Sequence, residues 1–123
     1  MDGNNAFGEF VREKRLAAGV NLRKLAEILE IAPAYMSDIE NGNRYPPEKD
    51  KIYKIAEALH LTPEETNMLF DLSAGNKKNL VSPDIADYIM EQDKSRVALR
   101  IARDKGAGEK EWEKIIRILE GKD

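Results

Sequence analysis

Ser37 and Asp38 are adjacent side chains that could do covalent chemistry, as a nucleophile beside a carboxylate. A serine attacks only when a base removes its proton, and the sequence places no base near Ser37. The single histidine, His60, lies near the end of a helical pattern, where it faces water or the helix dipole. Without cysteine there is no thiolate catalysis. Since the carboxylates are dispersed among basic residues, we expect neither an enzyme nor a metal or other cofactor.

The residues around this pair predict two short helices joined by a tight turn. Four apolar residues repeat with the period of a helix: Leu22, Leu25, Ala26 and Leu29. Asn21 precedes them and can accept a hydrogen bond from the first turn. Pro33 suits the first position of the second helix, and Gly42 suits its left-handed end. Met36 and Ile39 are then expected to face inward.

The opposite face of the second helix carries small and polar side chains, namely Ala34, Ser37, Asp38 and Asn41. Short side chains allow a helix to approach base edges closely when it enters the major groove. This face therefore predicts contact with double-stranded DNA rather than catalysis.

The stretch LRKLAEILEIAPAYMSDIENGNRYPP resembles the helix-turn-helix of lambda-repressor-like, XRE-type transcriptional regulators. Helix spacing, the sequence SDIENG and the following PP agree with that family over residues 7–72. The resemblance implies an all-α protein with a five-helix DNA-binding bundle over residues 1–75. In such a bundle Pro33–Asn41 is the recognition helix.

The resemblance also implies where DNA is contacted. Base edges would be met by Ala34, Ser37 and Asp38, with the carboxylate accepting from a cytosine amino group. Phosphates would be held by Tyr35, Asn41, Asn43 and Arg44, together with the N–H groups of Asn21 and Arg23. Arg15 would pair with Glu40 behind the recognition helix.

Three positions depart from the family pattern. Glu30 stands in the turn where many members have glycine, which costs ~1–2 kcal/mol if the residue is left-handed. Leu22 replaces a glutamine that binds a phosphate, and Ala32 replaces a serine or threonine cap. These departures concern the contacts with DNA more than the fold.

Charge and composition limit the possible partners. The 123 residues carry a net charge of −3, and residues 1–75 hold 9 basic against 13 acidic side chains. DNA binding would therefore use a local patch, with Arg23, Lys24 and Arg44 as its members. The absence of cysteine is consistent with a cytoplasmic protein, and no apolar stretch approaches the ~20 residues of a membrane helix.

Residues 76–123 are expected to form a C-terminal helical extension of three short amphipathic helices, preceded by a linker at residues 75–80. About 40 residues bury too little apolar surface to fold alone. Their faces must cover the first bundle, a second copy of the chain or another protein, and Trp112 is a natural anchor.

Two functions remain open at this stage. The first is a transcriptional regulator, in the form of a repressor that binds DNA as a homodimer through residues 80–121. The second is an antitoxin or partner-binding protein on the same scaffold, which would hold a toxin or protease with its C-terminal helices.

Overall fold

The computed structural model describes residues 5–75 and 80–122. All regular secondary structure in these ranges is α-helical, which confirms the all-α prediction. The eight helices found there are α1 (Ala6–Ala17), α2 (Leu22–Leu29), α3 (Pro33–Asn41), α4 (Lys49–Ala58), α5 (Pro63–Ala74), α6 (Pro83–Glu91), α7 (Asp93–Lys105) and α8 (Glu109–Leu119). None of these helices is long and apolar enough to cross a membrane.

The chain forms two compact units that divide between Ala86 and Asp87, inside α6. We call them the first unit, which contains α1 to α5, and the second unit, which contains α7 and α8. The sequence places the boundary earlier, at residue 75. The expected linker at residues 75–80 lies mostly outside the described residues.

The core of the first unit is built from apolar residues of all five helices. Helix α1 packs on α3 and α5, and α2 and α5 each pack on α4, while α2 also packs on α3. The fully enclosed cluster comprises Phe7, Val11, Leu25, Ala26, Leu29, Met36, Ile39, Ile52, Ile55, Leu59, Leu69 and Phe70. This core holds α3 from behind, as its inward residues predict.

Helix α5 turns a different face inward from the one that the sequence suggests. We expect Met68, Leu69 and Leu72 in the core, but the Met68 side chain is 52% exposed. The buried stripe centres on Leu69 and Phe70, and the Phe70 ring meets Tyr53 edge-on at 4.7 Å between centroids. The prediction for Met68 is wrong because Phe70, which is larger and lies on the other side of Leu69, sets the rotation of the helix.

Most helix ends of the first unit follow their local signals. At the start of α5, Thr62 Oγ1 accepts from the N–H of Glu65 at 3.0 Å, and Glu65 returns a bond to the Thr62 N–H at 2.9 Å. From the sequence we expect Pro46 and Pro47 to open the next helix, but α4 begins at Lys49 after an extended Glu48. The prolines instead form the connection before it.

Helix α1 is tied to α5 by an ion pair near the capping box. Lys14 Nζ lies 2.8 Å from Glu65 Oε2. The hydrogen bond with Lys14 lowers the pKa of Glu65 and raises the pKa of Lys14, and the backbone bond at Thr62 lowers the carboxyl pKa further.

The second unit has amphipathic helices but no core of its own. No residue between 87 and 122 is buried. The large apolar side chains of α7 and α8 remain exposed, from 36% for Ile115 to 81% for Leu119. Local hydrogen bonds are nevertheless present, since Arg96 donates to the Ile89 carbonyl near the end of α6 at 3.0 Å and to Asp93 at 2.6 Å.

Candidate nucleic-acid interface

The turn between α2 and α3 is set by backbone conformation at each end. Asn21 caps α2 by accepting from the Lys24 N–H at 2.7 Å. Helix α2 ends at Glu30, whose φ of 59° and ψ of 42° are left-handed. Ile31 follows at once and packs against the core. The chain therefore enters α3 after only three residues, as the sequence predicts, although no glycine eases the turn.

Helix α3 divides sharply into an inner and an outer face. Met36, Ile39 and Glu40 are buried, and Gly42 ends the helix with a φ of 83°. The outer face carries the small and polar side chains: Ala34 and Tyr35 are exposed, Ser37 and Asp38 are half-buried, and Asn41 is exposed. Asn41 Nδ2 donates to Ser37 Oγ at 3.3 Å, so these two outer side chains hold each other.

A buried ion pair fastens the inner face to α1. Arg15 Nε lies 2.7 Å from Glu40 Oε2, and Arg15 Nη2 lies 3.0 Å from Glu40 Oε1. Arg15 also donates to the Val20 carbonyl at 3.0 Å. The two residues are 8% and 1% exposed, and the hydrogen bond to Glu40 raises the pKa of Arg15. This bidentate pair limits movement of the outer face.

Two further side chains hold the C-terminal end of α3. Asn5 Nδ2 donates to the Glu40 carbonyl at 2.8 Å. Arg12 lies 3.6 Å from the Glu40 carboxylate through Nε and donates to Asn41 Oδ1 through Nη2. Because Asn41 belongs to the outer face, Arg12 links the buried support directly to the exposed surface.

Gly8 permits this close approach of α1 to α3. A Cβ at this position would lie 2.4 Å from the Glu40 carbonyl oxygen and 2.6 Å from that of Ile39. Sequence reasoning missed Gly8, Asn5 and Arg12. Of these three residues, only Arg12 could have been expected from the sequence to lie near Glu40. It precedes Arg15 by three residues and so lies on the same side of α1.

Tyr35, Asp38 and Arg44 form a cluster at the other end of the outer face. The Arg44 guanidinium stacks on the Tyr35 ring, with its carbon 4.4 Å from the centroid. Arg44 Nε lies 3.7 Å from Asp38 Oδ2, and both side chains are about half exposed. An open cleft beside them is lined by Asn43 and Pro46 as well. The cluster places a positive charge next to the only carboxylate of the outer face.

The N-terminal end of α3 lies beside the start of α2. Asn21, Arg23, Ala34 and Ser37 line one shallow cleft there. Lys24, the remaining member of the expected basic patch, lies 3.2 Å from Glu27. The nine predicted contact residues thus occupy the start of α2, the outer face of α3 and the turn after it, while Arg15 and Glu40 lie behind them.

Residues 11–65 match the family described as Helix-turn-helix. Residues 11–65 are therefore a helix-turn-helix domain of the XRE type. This confirms the resemblance drawn from the sequence. The helix-turn-helix domain contains both the buried Arg15–Glu40 pair and the whole outer face of α3.

Two curated relatives are similar to part of the chain. Both are named as uncharacterized HTH-type transcriptional regulators, MT0491 and Rv0474, from two strains of Mycobacterium tuberculosis. Each is 39% identical over 57 residues, which cover 46% of this chain and 40% of the relative. No solved structure matches the chain.

The helix-turn-helix domain offers no site for a metal. Among the described residues, no group of three or more histidine, aspartate or glutamate side chains could hold an ion.

Proposed function

We propose that this protein is a sequence-specific DNA-binding transcriptional regulator whose recognition helix is α3. The observation that supports this most directly is the division of α3 into two faces. Its inner face is buried and held by Arg15 and Glu40, while its outer face presents small and polar groups. A rigid helix with a shallow polar surface suits the major groove. The relatives' names point in the same direction.

Base recognition is assigned to Ala34, Ser37 and Asp38. Ala34 can contact a thymine methyl group, Ser37 can donate or accept, and Asp38 can accept from a cytosine amino group. A carboxylate near DNA is repelled by phosphates. Arg44, 3.7 Å from Asp38, offsets that charge and so makes the contact with cytosine more favourable.

Phosphate contacts are assigned to Tyr35, Asn41, Asn43 and Arg44, with the backbone N–H groups of Asn21 and Arg23. Arg44 is held by the Tyr35 ring and by Asp38, which reduces the side-chain entropy lost when it meets a phosphate. Such contacts fix the position of the helix on the duplex without selecting a sequence.

The working form is a cytoplasmic homodimer that acts as a repressor by occupying its operator. A single helix-turn-helix domain touches few base pairs, and the net charge of −3 adds little attraction to DNA. Two copies related by a two-fold axis would bind half-sites ~34 Å apart. The operator is then expected to be a near-palindrome.

Selection of bound sequences from random DNA with the full chain tests this function. The expected result is an enriched near-palindromic motif. Asp38→Ala should relax one base-pair position per half-site, with a loss of discrimination of ~1–3 kcal/mol. Arg44→Ala should weaken binding to all sequences and reduce the salt dependence by about one counterion.

Lys54→Ala is the matched control, since it removes the same charge from α4. It should change neither the motif nor the salt dependence. If the wild-type protein enriches no motif, the proposed function is wrong. If Asp38→Ala and Arg44→Ala both leave binding unchanged, the recognition surface is misplaced.

A partner-binding protein on the same scaffold is the second candidate. The exposed apolar side chains of α7 and α8 favour it, because they could hold a toxin or protease. This function would be preferred if selection enriches no motif and another protein remains bound to the chain through residues 80–121.

A further inference from the structure

We infer that Arg12 is a positioning residue for base recognition: it orients the Asn41 amide so that Ser37 presents its hydroxyl proton to the DNA. Ser37 then reads a hydrogen-bond acceptor on a base, and cytosine is disfavoured at that position. This inference rests on the proposed function, since it assigns a class of base to one residue of the recognition helix. Arg12 belongs to α1 and is not among the assigned contacts with DNA.

Arg12 is held from the protein side by Glu40. Its Nε lies 3.6 Å from Glu40 Oε1, and this carboxylate is 1% exposed and bonded twice by Arg15. The Nη2 of Arg12 points to the surface and donates to Asn41 Oδ1. The guanidinium therefore takes its place from a buried charge before any DNA is bound.

The guanidinium determines which way the Asn41 amide faces. Arginine has N–H donors and no acceptor, so it can bond only the oxygen of an amide. If the amide were turned by half a rotation, its NH2 group would face the guanidinium and donor would meet donor. Asn41 therefore directs Oδ1 to Arg12 and Nδ2 to Ser37, to whose Oγ it donates at 3.3 Å.

This bond leaves the Ser37 hydroxyl with its proton free. A serine hydroxyl has one donor and two lone pairs, and Asn41 occupies one lone pair. Thr66, for comparison, donates its proton to the Thr62 carbonyl one turn back, at 2.9 Å. Within the part of the chain that the structure describes, the side chain of Ser37 makes only the bond from Asn41. Its proton is available to a base.

A donor in the major groove distinguishes bases by their acceptors. Guanine offers N7 and O6, adenine N7 and thymine O4, whereas cytosine offers only its amino group. As a donor, Ser37 favours the first three bases on the strand that it meets and disfavours cytosine. Asp38 has the opposite preference, because a carboxylate only accepts. The two neighbours therefore read opposite kinds of base edge.

A direct contact with phosphate is the rival role for Arg12. It would weaken binding to all sequences alike and alter the salt dependence, without changing the preference for any base. The Nε and Nη2 donors of Arg12 already meet Glu40 and Asn41, which favours the orienting role. Asn41 keeps a second N–H for a phosphate, so its assigned contact is compatible with this arrangement.

Selection from random DNA, followed by affinity measurements with each base at the affected position, tests the assignment. Ser37→Ala identifies that position, because the preference there disappears. In the wild type, bases with an acceptor should bind about three- to tenfold more tightly than cytosine, the effect of one hydrogen bond. Arg12→Ala lets the amide turn either way and should reduce this ratio to about twofold or less.

Asn41→Asp should reverse the preference. Aspartate has no donor, so with one oxygen bonded to Arg12 the other accepts the Ser37 proton. The lone pairs of Ser37 then face the base and favour an amino group, so cytosine should bind more tightly than guanine or thymine. The added negative charge should weaken binding to every sequence, but the order of the bases is read independently of that loss.

Lys54→Ala is the matched control for Arg12→Ala. It removes one positive charge from the first unit, and its ion pair is with Glu30, at 3.5 Å, rather than with α3. It should leave the ratio between bases unchanged. Circular dichroism checks that each variant keeps its helices, and if Arg12→Ala loses them, Asn41→Asp decides alone.

Two results would overturn the inference while the proposed function stands. One is an Arg12→Ala variant that changes only the overall affinity and the salt dependence, as loss of a phosphate contact does. The other is an Asn41→Asp variant that keeps the wild-type order of bases. A wild type that enriches no motif would instead reject the proposed function, and this assignment with it.

Discussion

Helices α2 and α8 repeat their apolar residues with the same spacing, but the structure treats them differently. Leu25 and Leu29 of α2 are 0% exposed, because α3 and α4 pack over them. Trp112 and Leu119 of α8 are 37% and 81% exposed. An amphipathic period therefore determines that a helix forms and which side is apolar. It does not determine what covers that side.

The two units also use charge differently. In the first unit, Glu40 is a fully buried charge whose partner Arg15 reaches it with two hydrogen bonds. In the second unit, charged side chains lie in the open on the flanks of apolar faces. Charge in the first unit holds one helix in position, whereas none of the described charged side chains of the second unit is buried.

The largest expected difference between the units is in hydrogen exchange. Amides of α2 should open only with unfolding of the core and exchange at least about a thousandfold more slowly than those of α8 in dilute protein. Mass spectrometry after a deuterium pulse measures this ratio. Raising the protein concentration should protect α8 and leave α2 unchanged. Equal rates for both helices in dilute protein would contradict the comparison.

Glu40→Ala should destabilise the first unit by ~3–5 kcal/mol, because it leaves the Arg15 charge buried without its partner. Chemical denaturation followed by circular dichroism gives the free energy of unfolding. The control is Glu27→Ala, which breaks an exposed pair with Lys24 and should cost under ~0.5 kcal/mol. A loss for Glu40→Ala within experimental error would show that the pair is not structural.

Gly8→Ala should cost ~1–3 kcal/mol, since its Cβ would press on backbone carbonyls of α3 and force the two helices apart. Thermal unfolding of the full chain measures the loss. Glu13→Ala, on the exposed side of the same helix, should stay within ~0.5 kcal/mol of wild type. Equal stability of the two variants would mean that α1 and α3 separate easily.

Glu30→Gly should stabilise the first unit by up to ~1 kcal/mol, because glycine adopts the left-handed turn without a steric penalty. The exposed contact with Lys54, at 3.5 Å, offers little compensation. Glu27→Gly, inside α2, should instead cost ~1 kcal/mol. The idea fails if both substitutions shift the denaturation midpoint in the same direction.

The sequence predicts the structure best where helix-capping residues and the helical repeat of apolar residues indicate the same helix. Asn21 and Gly42, for example, lie where the structure uses them to begin α2 and end α3. The pairing of Arg15 with Glu40 came from the family resemblance, since a separation of 25 residues leaves no local trace. Its geometry in the structure agrees with that expectation.

The remaining features depend on packing between distant residues. Met68 lies on the exposed side of α5 and Phe70 on the buried side, and the apolar repeat alone does not distinguish these two rotations of the helix. The contacts of Asn5, Gly8 and Arg12 with α3 exist only once two helices meet. The stacking of Arg44 on Tyr35 follows in the same way from the path of the turn after α3.

The ion pair between α1 and α5 contributes to how the fold responds to acid and base. The pKa of Glu65 lies below 4.5, so its stabilisation is present above that value and is lost as protons bind at lower pH. The pKa of Lys14 lies above 10.5, so its stabilisation is lost only as pH rises through that higher pKa. Between these limits the pair neither takes up nor releases protons on folding. A change in DNA affinity near neutral pH would therefore not come from protonation of the Lys14–Glu65 ion pair.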